Sequence, residues 1–309
     1  MSYAMPPPRP LPERNAPRLR PGRTTQLLTL TAVAALALTG TALAESGAGV
    51  AVRGGTNDNW GSVLQTDETV QADTWSVRAK GEAGTLVEGD TRSHFPAFDG
   101  APTTTDQRGK AVQLQYNGQP MGLLIEPFTE TRKLKGTGKG DNGGDGVRAR
   151  TLIETIDLGM PYTAHDGPGG GAAKAELGLK LDKVKVVAEA LPGKPVHFDT
   201  SVGSGALYAK GKALITVDPK KNPRSWAPNA GIRFPMDPKV APRLIVTVNE
   251  QITTDGQGYP TMDDDGSYRF DPKALSGYAN AVHLTVLTPD IADITIGHAA
   301  ALHAPGPNE

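Results

Sequence analysis

The sequence predicts an all-β protein, an antiparallel β-sandwich with Gly- and Pro-rich loops, preceded by a helical signal peptide. Three observations carry this. Short apolar stretches recur with a period of two, the spacing of half-buried strands. The 37 glycines and 26 prolines are about a fifth of the 309 residues, too many for a helical protein and fewer than a low-complexity chain holds. No stretch keeps a 3.6-residue period for more than two turns, and no βαβ alternation argues for a parallel nucleotide-binding sheet.

The strands follow in chain order. Trp75, Val77 and Ala79 alternate with Ser76 and Arg78, and Val112, Leu114 and Tyr116 with Gln113 and Gln115. Residues 121–125 are continuously apolar and stop before Pro127, while residues 152–158 interleave Ile153 and Ile156 with acids. Leu177, Leu179 and Leu181 alternate with Gly178 and Lys180, and residues 184–190 follow. Residues 213–217, 244–248, 282–286 and 294–296 complete the set. Glycine-rich loops at residues 136–146 and 166–171 and a proline-rich stretch at 219–242 separate them. Turn residues at this spacing argue two stacked antiparallel sheets.

The leader has three parts. Residues 1–26 are rich in Arg and Pro, residues 27–44 are almost wholly apolar or small, and Ala42-Leu43-Ala44 is an A-x-A-like end. These are the n-region, h-region and cleavage site of a secretory signal peptide, so residues 1–44 are expected to be removed and 45–309 to be the secreted domain. The rival is an uncleaved anchor, the one route by which this chain would meet a membrane. Thr29, Thr31, Thr39, Gly40 and Thr41 weaken an apolar run already at the minimum spanning length. No Arg-Arg pair precedes the run, which favours the general secretory route over the twin-arginine one.

Removing the leader leaves 27 basic and 32 acidic residues, a net charge of -5. A mildly acidic domain has no electrostatic reason to seek nucleic acid or anionic lipid. There is no cysteine. Thiol catalysis, Cys-ligated zinc and iron–sulfur clusters are excluded, and the core must hold the fold without disulfides.

The closing segment is the most distinctive. Asn249-Glu250-Gln251 ends one strand, Ala279-Asn280-Ala281-Val282-His283 opens another, and Asp293-Ile294-Thr295-Ile296-Gly297-His298 runs into Ala299-Ala300-Ala301. Residues 243–302 read as a terminal meander, separable from the rest in sequence. This order of motifs resembles the ending of the secreted actinobacterial choice-of-anchor P family, over about 60 residues. The resemblance implies an exported β domain of unassigned biochemical role and supplies no catalytic residues. No hydrophobic tail or sorting motif follows residue 302, so free secretion into the extracellular space is expected.

Chemical motifs are sparse. Asp263, Asp264 and Asp265 precede Gly266, with Asp255 nearby. Asp255, Asp263 and Asp265 are the candidate metal ligands, for calcium, though the spacing is not that of an EF-hand and an Asp-Gly hairpin tip is the plainer reading. No other cofactor is expected. Glu126 with Glu130, or Glu154 with Asp157, are the acid pairs a glycosidase would need, but aromatics are only 5% and tie neither pair to a sugar platform. Trp60 and Trp226 lie in loops and are the first to consider for sugar stacking, with packing the expected role of all three tryptophans. Neither HxH nor HExxH occurs, and His94, His165, His197, His283, His298 and His303 read as surface histidines. No serine-hydrolase elbow, S-x-x-K or phosphate loop is present.

The expectation is a secreted, non-catalytic extracellular binding or structural protein, its partner an extracellular surface or glycan and not nucleic acid. Loops at one end of the sandwich, residues 136–146 and 255–265, would do the binding. The alternative is a secreted carboxylate-dependent hydrolase acting on cell-wall or other polysaccharide.

Overall fold

The computed structural model describes residues 70–303 except 82–84, 96–103, 136–144, 161–170, 264–267 and 288–291. The leader, and most of both glycine-rich loops, lie outside the described residues. The strands are β1 (Val70–Gly81), β2 (Thr85–Glu88), β3 (Arg92–Phe95), β4 (Thr104–Arg108), β5 (Ala111–Tyr116), β6 (Gln119–Ile125), β7 (Phe128–Leu134) and β8 (Gly146–Met160). They continue as β9 (Leu177–Ala190), β10 (His197–Ser201), β11 (Ser204–Ala209), β12 (Lys212–Val217), β13 (Ala230–Phe234), β14 (Leu244–Thr254), β15 (Ser276–Val286) and β16 (Ala292–His303). Two short 3₁₀ turns, at Gly171–Lys174 and Pro223–Trp226, are the helical elements among the described residues. None of them is long and apolar enough to cross a membrane.

The all-β, antiparallel expectation holds. A six-stranded sheet runs β13-β14-β15-β16-β1-β3. A ten-stranded sheet runs β12-β11-β9-β8-β6-β5-β2, with β7 and β4 continuing from β8 and β10 from β9. One apolar core lies between them, drawing Val77 and Ile296 from the first sheet and Leu124, Ile153 and Leu181 from the second. The terminal meander β14–β16 shares its sheet with β1, which pairs with β16 from Val70↔His303 to Gly81↔Ala292. Strands from both ends of the described chain thus close one layer, and that burial holds the fold without disulfides.

A line of phase changes crosses the six-stranded sheet. On β16, Ile294 and Ile296 face the core, but so do Ala299 and Ala301. On β15 the adjacent residues Ala281 and Val282 both do, and on β1 Ala72 and Val77. On β14, Val248 belongs to the main core and Ile252 to a small cluster with Tyr278 and Ala300 on the opposite face. Strict alternation forbids each of these pairs. The slip falls at Asn249, Ala281, Gly297 and Ser76, the row missing from the register of all three strand pairings. Asn249 (φ 51) and Gly297 (φ 67) supply the left-handed backbone that turns the following residues over.

The ten-stranded sheet slips at the matching level. Lys183 has φ 55 opposite Glu154, and the core-facing set passes from Ile153 to Ile156 and from Leu181 to Val184. Pairing partners change there too. β8 pairs with β7 up to Leu152 and with β6 from Thr155, while β9 pairs with β11 up to Asp182 and with β10 from Lys185. The two slips are joined through the core. Thr151 Oγ donates to the His298 carbonyl (2.6 Å) and lies 2.8 Å from Thr74 Oγ, giving buried polar groups partners where the pleat breaks.

Gly297 is required for this arrangement. A Cβ there would lie 2.9 Å from Ala281 Cβ and would have to adopt positive φ. Gly297→Ala is expected to cost about 1–3 kcal/mol, from left-handed strain plus overpacking. A lowered urea midpoint at unchanged m-value is the expected reading.

Candidate functional site

The phase slip decides which polar side chains meet on the outer face of the six-stranded sheet. Register sets Glu250, Asn280, His298 and Trp75 in one row across β14, β15, β16 and β1. Past the slip the outward residues are His283 and Thr285 on β15 and Thr295 and Asp293 on β16. Without the slip, His283 and Asn280 would face opposite sides of the strand.

A continuous hydrogen-bonded chain results. His298 Nδ1 lies 2.7 Å from Asn280 Oδ1. Asn280 Nδ2 donates to Glu250 Oε2 at 2.6 Å. The other carboxylate oxygen, Oε1, is 2.8 Å from His283 Nδ1, and His283 Nε2 is 2.5 Å from Asp293 Oδ1. Acceptor capacity fixes the protons. Both ring nitrogens of His283 face carboxylates, so both donate and the ring is an imidazolium. Asn280 spends its amide on Glu250, so its carbonyl accepts from His298 Nδ1–H. Trp75 stacks on His298 with ring centroids 3.5 Å apart and planes 9° apart, and its indole N–H donates to Thr295 Oγ at 3.0 Å. Arg78 lies over the Trp75 ring, 5.2 Å from its centroid.

The cluster is shut away from solvent. Asn280, His298 and Thr295 are fully buried, and the His283 side chain is 12% exposed. Tyr268, from the β14–β15 connection, packs on the cluster of Ile252, Tyr278 and Ala300 beside it.

Electrostatics follow from this geometry. Burial works against the His283 charge, but Glu250 and Asp293 outweigh it and hold its pKa well above the ordinary 6.5. Burial pushes the Glu250 carboxyl up, and the imidazolium with the His283 and Asn280 hydrogen bonds overcomes it to hold the group low. Burial keeps His298 neutral, reinforced by the positive charge of Arg78 and by His94. Burial, together with the nearby carboxylates, also raises the hydroxyls of Tyr268 and Tyr278. An imidazolium with both N–H groups donated has no lone pair to take a proton, so His283 is not a general base. The chain ties β14, β15 and β16 together.

These residues correct the reading of the histidines as surface groups. His283 does sit on the outward side of its strand, yet it is enclosed, and His298 and His303 are buried. His94 is partly buried, with Nδ1 2.6 Å from Asp73 Oδ1, and His197 is exposed. His165 lies outside the described residues. The signal was present in sequence: Glu250, Asn280, His283, Asp293 and His298 are among the polar residues of the closing motifs, set within largely apolar strands.

The other sequence candidates do not converge with this cluster. Asp255 is exposed, and its Oδ1 accepts the backbone N–H groups of Gln257 and Tyr259, both at 2.9 Å. Asp263 is exposed, 3.9 Å from Arg269 Nη1, and Asp265 lies outside the described residues. No group of three or more His, Cys, Asp or Glu side chains among the described residues is arranged to hold a metal ion.

Glu126 is exposed, whereas Glu130 is buried among arginines. Glu154 is exposed and Asp157 buried, with Asp157 accepting from the Ala172 N–H at 2.8 Å while burial raises its pKa. Trp226 packs in the main core, and Trp60 lies outside the described residues. Comparison with protein-family models, with curated proteins and with solved structures finds no match to this chain.

Proposed function

We propose that the chain is exported through its leader and acts outside the cell as a non-catalytic β-sandwich that binds or builds surface material. The resemblance of residues 243–302 to the choice-of-anchor P ending belongs to this reading. The observation that carries it is how the conspicuous titratable groups are spent. Both nitrogens of His283 are committed to Glu250 and Asp293, and the acids a hydrolase would need are engaged by backbone, arginine or solvent instead of facing each other. A catalytic carboxylate pair needs one acid protonated and one ionised across a substrate-sized gap.

The mature chain from Glu45, incubated with insoluble cell-wall polysaccharide, is expected to sediment with it and to release neither reducing ends nor soluble fragments. Release of reducing ends or soluble fragments by the folded parent chain would overturn this reading in favour of the hydrolase.

A further inference from the structure

We propose that the outer face of the ten-stranded sheet binds an acidic polysaccharide through Arg108, Arg132, Arg148 and Arg150, arranged around Glu130. This deepens the preceding reading by naming a ligand class and a surface, and it rests on that reading for the absence of cleavage.

Strand register builds the face. Across β4, β7 and β8, Asp106 pairs with Glu130 and Glu130 with Arg150; one step along, Arg108 pairs with Phe128; on the other side, Arg132 pairs with Arg148. Thr129, Val147, Ala149 and Thr151 alternate with these residues and are buried toward the core, so the charged set faces outward.

Glu130 is the hub. Its Oε1 accepts from Arg132 at 2.6 Å, and its Oε2 lies 2.9 Å from Arg150 and 3.7 Å from Arg148. The carboxylate is 6% exposed, while the three guanidinium side chains are 47%, 31% and 28% exposed for Arg132, Arg150 and Arg148. One enclosed acid therefore gathers three partly exposed cations, Arg132 through a hydrogen bond and Arg150 and Arg148 through charge. Counting Arg108, Asp106 and Glu189, which pairs with Arg148 from β9, this patch carries four positive charges against three negative ones. It stands out on a mature chain whose net charge is negative.

The arrangement suits a polymer bearing carboxylates or sulfates. Guanidinium forks bind such groups bidentately, and a hub that already draws the forks together lowers the ordering cost of binding. Adjacent strands and alternate residues space the cations by about 5 and 7 Å, a lattice matched by closely repeated anions on an extended chain. The aromatic ring in the patch is spent: Arg108 and Arg150 lie 4.5 and 5.3 Å from the Phe128 centroid. Single-stranded nucleic acids draw much of their affinity from base stacking on free aromatic faces, which this patch does not offer, whereas an acidic glycan needs only the forks.

The test is retention of the mature chain from Glu45 on immobilised polygalacturonate (carboxylate) and dextran sulfate (sulfate). Neutral dextran serves as the control and single-stranded DNA as the competing ligand. Expected is retention on at least one acidic glycan at low salt, elution by added salt, and no retention on neutral dextran. Arg132→Ala/Arg148→Gln is expected to weaken glycan binding at least about tenfold. Arg132→Glu, at the most exposed of the three cations ringing Glu130, keeps the test valid if the double variant melts early. Unchanged binding in a variant that melts like the parent, or DNA bound as tightly as the glycan, would overturn the proposal. Reducing ends measured in the same tubes report on the absence of cleavage alone, and arginine dependence reports on this face alone.

Discussion

Glu250→Ala is expected to remove about 3–5 kcal/mol of stability, the cost of leaving a buried charge without its partner. The substitution strips the His283 imidazolium of one carboxylate and leaves the buried Asn280 amide without its acceptor. Urea denaturation of parent and variant reads the loss directly. A conservative Glu250→Gln should recover part of it, because the Asn280 contact survives while the ion pair does not. A cost below about 1 kcal/mol for Glu250→Ala would place the chain among surface ion pairs and contradict its burial.

Stability as a function of pH is the second large effect, and two histidines shape it in opposite directions. His298 is held neutral by burial, by Arg78 and by His94, and it packs against Trp75, Tyr278 and Asn280. Its folded pKa is depressed below 6.5, so its contribution is present above about pH 6.5 and is lost as pH falls below it, where only the unfolded chain takes the proton. His283 faces Glu250 and Asp293, and its folded pKa is raised. Its contribution is full below about pH 6.5 and is lost as pH rises through the folded value. Each histidine contributes a slope approaching about 1.4 kcal/mol per pH unit in its own window. Thermal unfolding between pH 5 and 9 should therefore show a maximum near pH 6.5. His298→Gln should flatten the acid limb and His283→Gln the alkaline limb. Loss of the Glu250 contribution enters at lower pH still, below the ordinary carboxylate value of 4.5.

Much of the fold was legible in the sequence. The strands read at residues 75–79, 112–116, 121–125, 152–158, 213–217, 244–248, 282–286 and 294–296 all lie within strands of the structure. The two runs at 177–181 and 184–190 form one strand, β9, because Lys183 turns the phase without ending the pairing. β2, β3, β4, β7, β10, β11 and β13 escaped notice. Their outward positions hold charge or their spans sit among Gly and Pro, as in Phe-Thr-Glu-Thr-Arg-Lys-Leu of β7, whose inward residues are threonines.

The site was less legible for a related reason. Alternation assigns a residue to a face only while the pleat is unbroken. Asn249 and Gly297 break it, so Asn280 and His283, an odd number of residues apart, reach the same face. No count along one strand reveals that; it needs the register of four strands together. The arginines around Glu130 were hidden in the same way, since residues 108, 130, 132, 148 and 150 become neighbours only across β4, β7 and β8.

The protonation of His283 tests the central claim most directly, because everything assigned to the cluster follows from a doubly donating imidazolium between two carboxylates. Nitrogen-15 NMR of the ring-labelled protein at pH 7.5 should find both His283 nitrogens protonated, with no titration step near the ordinary histidine pKa. A His283 ring that is neutral at that pH, or that titrates near 6.5 with solvent-like behaviour, would contradict the account.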